Sequence, residues 1–198
     1  ERYRKEATAL SKTRAKAAKA LEKDVNAQLA HLGMAAARFS IALNSDSSRQ
    51  GAGGYDSAEF LVSTNPGNPP KPLIRIASGG ELSRISLAIQ VVIAETSPIP
   101  TLVFDEVDVG IGGGTARAVG ELLRRLGDRG QVLCVTHQPQ VASQAHQHLL
   151  VSKQQAKQST STSLRQLDAE ERITEVARML GGDALSDKSL AHARELLG

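Results

Sequence analysis

Two short apolar runs, Thr101-Leu102-Val103-Phe104 and Val132-Leu133-Cys134-Val135-Thr136, stand on either side of a helical pattern at 115–126 and constrain this chain more than any other feature. A short run without polar alternation suits a strand covered on both faces, and such strands alternating with helices belong to parallel sheets flanked by helices. A second helical pattern, at 80–95, precedes them through Leu82, Ile85, Leu87, Ala88, Ile89, Val92 and Ile93. The fold class is therefore read as α/β.

Around this centre the pattern is plainer. Leu21, Val25, Leu29, Leu32 and Ala36 recur at helical spacing and predict one apolar face. Upstream that face thins to Ala7, Leu10, Ala17 and Ala18 among lysines and arginines, as in a coiled-coil strand without its partner or in a lone amphipathic helix. Gly33 suits the helix stop; alternation at 39–43 predicts a half-buried strand, a second follows at 59–63, and the Ser- and Gly-rich stretch 45–54 reads as a mobile hairpin loop. Four prolines within 65–72 exclude a helix and a central strand. Near the C-terminus a strand pair is expected at 148–153 and 163–167 around a polar loop at 154–162. Asp168 with Glu171 then forms a capping box for a helix carrying Ile173, Val176, Ala177 and Leu180, and a last helix covers 186–197.

At 198 residues one main domain is expected. No apolar run approaches the roughly 18 residues of a membrane span, so no membrane partner is expected and a soluble protein is. One cysteine, Cys134, excludes an internal disulfide and a cysteine-built zinc site, and makes the cytoplasm the default location. The chain opens at Glu1, without methionine or a targeting segment, and reads as an excised piece. Its net charge is +3, but residues 1–38 hold nine Lys/Arg against four Asp/Glu. The basic excess on the first helix suits an anionic partner, or simply a solvated helix face.

Four features carry chemistry. The run 101–104 ends in Asp105-Glu106, at the strand end where α/β sheets bind ligands. There Asp105 is suited to Mg²⁺ and Glu106 to polarising a water, although acids that only cap the next element are equally ordinary. Ser78-Gly79-Gly80-Glu81-Leu82-Ser83-Arg84 opens a helix with two glycines, which fits a phosphate at the helix N-terminus or a plain serine cap. His137 closes the second apolar run, where structural histidines are common and catalytic ones rarer. Asp108 begins a Gly-rich loop, 108–114, which lacks the lysine of a phosphate-cradling P-loop.

In order, these four features resemble the signature motif, Walker B, D-loop and H-switch of the C-terminal lobe of an ABC-type ATPase. The segments 76–84, 104–113 and 134–142, with Asn65-Pro66-Gly67 and the tail Ala177-Arg178-Met179-Leu180-Gly181-Gly182, resemble the RecN family of bacterial SMC-like DNA-repair proteins over 32–198. The resemblance implies a C-terminal head lobe at 34–198, a parallel sheet flanked by helices, preceded at 1–33 by the end of a coiled-coil arm. It also implies ATP and Mg²⁺ as cofactors. Ser78, Gly79, Gly80 and Glu81 would face nucleotide held by a second head of a homodimer, and Asp108 would cross the same interface. Asp105 would hold Mg²⁺, while Glu106 and His137 act on the nucleotide of their own head. Further partners implied are DNA double-strand ends and an N-terminal lobe; the location implied is the nucleoid-associated cytoplasm. No Gly-x-x-x-x-Gly-Lys-Ser/Thr occurs, so Walker A is missing and this chain alone is expected to be inactive. Gln138 departs from the family pattern, which has an apolar residue there. Two alternatives remain open: the nucleotide-binding domain of another ABC ATPase, such as a transporter, or a non-catalytic ABC-like interaction module.

Overall fold

A computed structural model describes residues 1–48, 51–94, 100–156, 159–182 and 185–198. The chain divides into two compact units, Glu1–Ser97 and Pro98–Gly198.

The first unit is built on helix α1, Arg2–His31, which ends at Leu32 and turns on Gly33 with φ of 72°, a conformation that glycine takes without steric cost. Val25, Leu29 and Leu32 are fully buried. They meet an antiparallel sheet of β1, Arg38–Ser45, β2, Asp56–Ser63, and β3, Lys71–Pro72, and the helix α2, Gly79–Ile93. Phe39, Val62, Ile85, Leu87 and Ala88 complete this core. Proline is tolerated in β3 because it lies at the sheet edge and spans only two residues.

The upstream half of α1 also has a partner within its own unit. Tyr3 packs edge-on against Tyr55 with ring centroids 5.6 Å apart, and its hydroxyl donates to Gly51 O at 3.1 Å. Ser11 Oγ donates to the Asp56 carboxylate at 2.8 Å, and Arg14 reaches both Asp56, at 3.2 Å, and Gly53 O, at 2.7 Å. These donors, Ser11 first, hold the Asp56 carboxyl below the usual carboxylate range. The described part of the stretch expected to be a mobile loop is thus tied to the helix; residues 49 and 50 lie outside the described residues. Asn26 adds a two-way bond to the Phe39 backbone, 2.9 Å each way.

The second unit contains a parallel pair, β4, Thr101–Phe104, and β5, Gln131–Cys134, in the register Val103↔Leu133 and Phe104↔Cys134. Helix α3, Gly113–Gly127, follows β4, and the four-residue helix α4, Pro139–Ala142, follows β5. Phe104, Val107, Val119, Leu123 and Val141 are buried between them. The antiparallel hairpin of β6, Leu149–Ala156, and β7, Ser159–Gln166, is longer than the sequence predicts and extends through most of the stretch read as loop; residues 157 and 158 lie outside the described residues. The β-branched Thr160 and Thr162 of β7 suit a strand even without apolar alternation, and the ladder runs on through them to Ala156↔Ser159. Helices α5, Ala169–Gly181, and α6, Asp187–Leu197, close the unit around Val176, Ala177 and Ala193, and the capping box of Asp168 with Glu171 is formed.

Candidate functional site

Asp105 and Glu106 follow directly on β4, and both are exposed. Val135 N donates to Phe104 O at 3.0 Å, extending the parallel ladder past β5 and bringing Thr136 and His137 to the same end of the sheet as the two acids. Glu106 has φ of 59°, and among the described residues it is the one non-glycine with positive φ. Its N–H is held by Asp105 Oδ1 at 2.9 Å. A left-handed glutamate costs on the order of 1–3 kcal/mol, and strain of this kind persists where function fixes the direction of a side chain.

His137 is exposed, and its Nδ1 lies 3.8 Å from Asp108 Oδ1, an ion-pair distance rather than a hydrogen bond. Asp108 is buried between its Gly-rich loop and the end of β5. Its side chain is 1% exposed and turns into its own unit, where Oδ2 accepts a short bond from Thr136 Oγ1, instead of projecting from the surface. A buried carboxylate needs partners, and the nearest are the hydroxyl and imidazole at the end of β5. Thr136 in turn accepts from Gln138 N at 3.0 Å, and Gln138 Nε2 donates to Ile111 O at 3.0 Å. Gln138, the departure from the family pattern, is therefore a strut between the β5 end and the Gly-rich loop; the loop itself turns at Gly110 with φ of 73°. Neither Thr136 nor Gln138 carried a role in the sequence, where only a polar residue at the close of an apolar run hinted at one. If Asp108 and Thr136 form this latch, a double-mutant cycle of Asp108→Ala and Thr136→Val, read by chemical denaturation, gives a coupling of about 2 kcal/mol. Additive effects, within about 0.3 kcal/mol, would show that no latch exists.

Cys134 sits under the same edge, half-buried, and burial together with Asp108 and Asp105 pushes its thiol up to about 12. It stays protonated at neutral pH and is no nucleophile. The donor set fits Mg²⁺ through Asp105 alone: among the described residues no cluster of three or more His, Cys, Asp or Glu side chains is built to hold a metal. A magnesium ion held by one carboxylate, with water and phosphate oxygens filling the remaining positions, suits such a site.

In the first unit, Ser78 caps α2, its Oγ accepting from Glu81 N at 3.3 Å. Ser78 and Gly79 are exposed, Glu81 is half-buried and Gly80 is buried. Beside this helix entrance runs an open groove of about 570 Å³, lined mainly by apolar side chains that include Phe60, Pro72, Ile74 and Leu82. Ile74 is 91% exposed.

The fold is that of an SMC ATPase head. The chain aligns with one from a study of ATP-driven dimerization and DNA-stimulated activation of SMC ATPases at a TM-score of 0.52 and 17% identity, covering 87% of this chain and 99% of that one. With the Smc head domain with coiled coil and joint from Pyrococcus yayanosii the TM-score is 0.56 at 19% identity, over 80% of this chain and 28% of that one. The chain belongs to the RecF/RecN/SMC N terminal domain family, whose model matches residues 2–160. It is similar to DNA repair protein RecN of Vibrio cholerae, 51% identical over 95% of this chain and 34% of that protein. It is also similar to DNA repair protein RecN of Haemophilus influenzae, 47% identical over all of this chain and 35% of that protein. The chain thus spans about a third of the length of these relatives.

Proposed function

We propose that this chain is the C-terminal part of an SMC-like ATPase that hydrolyses ATP between two heads in DNA double-strand break repair and recombination. The observation that carries the reading is the meeting of Asp105, Glu106 and His137 at one end of a parallel pair, with Glu106 held at positive φ. Asp105 would hold Mg²⁺, which would supply charge neutralisation at the phosphates. Glu106 orients a water and accepts its proton, and His137 presents its exposed ring to the phosphate. Ser78, Gly79, Gly80 and Glu81 offer the N–H groups of a helix entrance to nucleotide carried by the second head. Asp108 opens the loop that would run along the interface with the second head, and its contacts to Thr136 and His137 brace that loop against the end of β5.

One face of the β4–β5 pair supports a missing partner lobe. Val103, Leu133 and Val135 are 68%, 45% and 64% exposed, side by side on the face opposite Phe104. A parallel pair left bare in this way wants cover, and an N-terminal lobe carrying Walker A would supply it. The reading is tested by combining this chain with that lobe and measuring ATP turnover with and without linear duplex DNA. Turnover is expected only in the mixture and is expected to rise with DNA. A mixture that co-purifies but remains silent would refute the catalytic assignment and favour a non-catalytic interaction module.

A further inference from the structure

Arg2, Lys5, Lys12, Lys16, Lys19 and Lys23 follow one another along α1 at steps of three, seven, four, three and four residues. At 3.6 residues per turn this spacing gathers all six on one side of the helix, opposite buried Ala7, Val25 and Leu29. All six are exposed, and none pairs with a carboxylate of the described residues. The acids of this helix leave the row open. Glu22 turns inward to accept from Ile41 N at 2.6 Å, while Glu6 and Asp24 stand at its flank. Arg14 is on the other side, engaged with Asp56.

From Arg2 to Lys23 the row is about 32 Å long at 1.5 Å per residue, close to the roughly 34 Å of one turn of B-form DNA. Its chemistry selects among polyanions. A lipid surface holds a basic helix firmly when an apolar face inserts beside the cations, and the apolar face of α1 is buried in its own unit. A single strand would need aromatic platforms for its bases, and Tyr3, the aromatic of this stretch, is spent on Tyr55 and Gly51. A straight row of cations without aromatic or apolar neighbours suits a regular array of phosphates. We infer that the lysine face of α1 is the docking surface for the phosphate backbone of double-stranded DNA, read without regard to sequence. This assignment rests on the proposal that DNA is the partner, and adds where it binds.

The test uses the full-length protein and a labelled blunt duplex of about 30 base pairs, roughly three helical turns, titrated by fluorescence anisotropy across salt. With Lys12, Lys16 and Lys19 all changed to Ala, affinity at about 0.15 M salt is expected to fall about a hundredfold, and the slope of log K against log salt to flatten by about 3. The same three positions changed to Arg should restore binding. A Lys188→Ala, Arg194→Ala variant, on exposed α6, should bind like wild type. Unchanged affinity and slope in the triple-alanine protein, with wild type still binding duplex, would overturn the surface and leave DNA as the partner. Failure of the wild type to bind duplex, or its capture by phosphatidylserine vesicles or an acidic protein instead, would overturn both.

Discussion

Glu106→Gln in the complete protein is expected to leave ATP binding intact and to lower the hydrolysis rate by a factor of about 100 to 10,000, the usual contribution of a positioned general base. The amide keeps the size of the carboxylate and its place in the strained backbone, so head architecture and nucleotide affinity are preserved while proton acceptance is lost. The unusual φ of 59° provides a second measurement. Glu106→Gly removes the side chain and the strain together, so it should be equally inactive yet more stable, by roughly 1 kcal/mol in chemical denaturation. Wild-type turnover in Glu106→Gln would remove this residue from the reaction. A Glu106→Gly protein no more stable than the parent would show that the left-handed backbone stores nothing.

Much of this site is legible in the sequence because strand ends are. Four apolar residues followed by two acids give both the strand and the point where the chain leaves it, and a parallel pair fixes which end faces the ligand. The same logic places His137, since its run is apolar up to Val135 and parallel to the first. Legibility stops where side chains bend back. Asp108 is charged and lies in a Gly-rich loop, a pattern that does not say where its carboxylate goes; only the coordinates reveal the threonine hydroxyl that it meets inside. Gln138 gives no periodic signal at all, because its role is one long-range bond to Ile111 O. The first helix shows the same limit. Its thinning apolar pattern suggests a strand of a coiled coil, yet the grip of the β1–β2 hairpin on it comes from Tyr3, Ser11 and Arg14, polar groups that periodicity does not count.

Ser78→Arg is expected to abolish ATP-dependent dimerisation in the complete protein, and with it turnover. The substitution acts at a point of close approach. Ser78 and Gly79 are exposed at the first turn of α2, where unpaired N–H groups and the helix dipole attract an anion, and where only small side chains let a phosphate come near. Arginine fills that space. It also removes the cap to Glu81 N, at a cost of about 1 kcal/mol, and places a cation at the positive end of the helix, at a cost of about 0.3–1 kcal/mol. A folding defect must therefore be separated from an interface defect, and Ser78→Gly separates them. Glycine sacrifices the cap at only a few tenths of a kcal/mol and keeps the approach open, so its dimer should persist. Beside the cap, exposed Ile74 and Leu82 would give a second head an apolar surface to cover. Sedimentation with ATP, in a Glu106→Gln background to prevent hydrolysis, reads the outcome directly. A wild-type fraction of dimer in Ser78→Arg would mean that this helix entrance does not face a second head, and the two-head mechanism would fall with it.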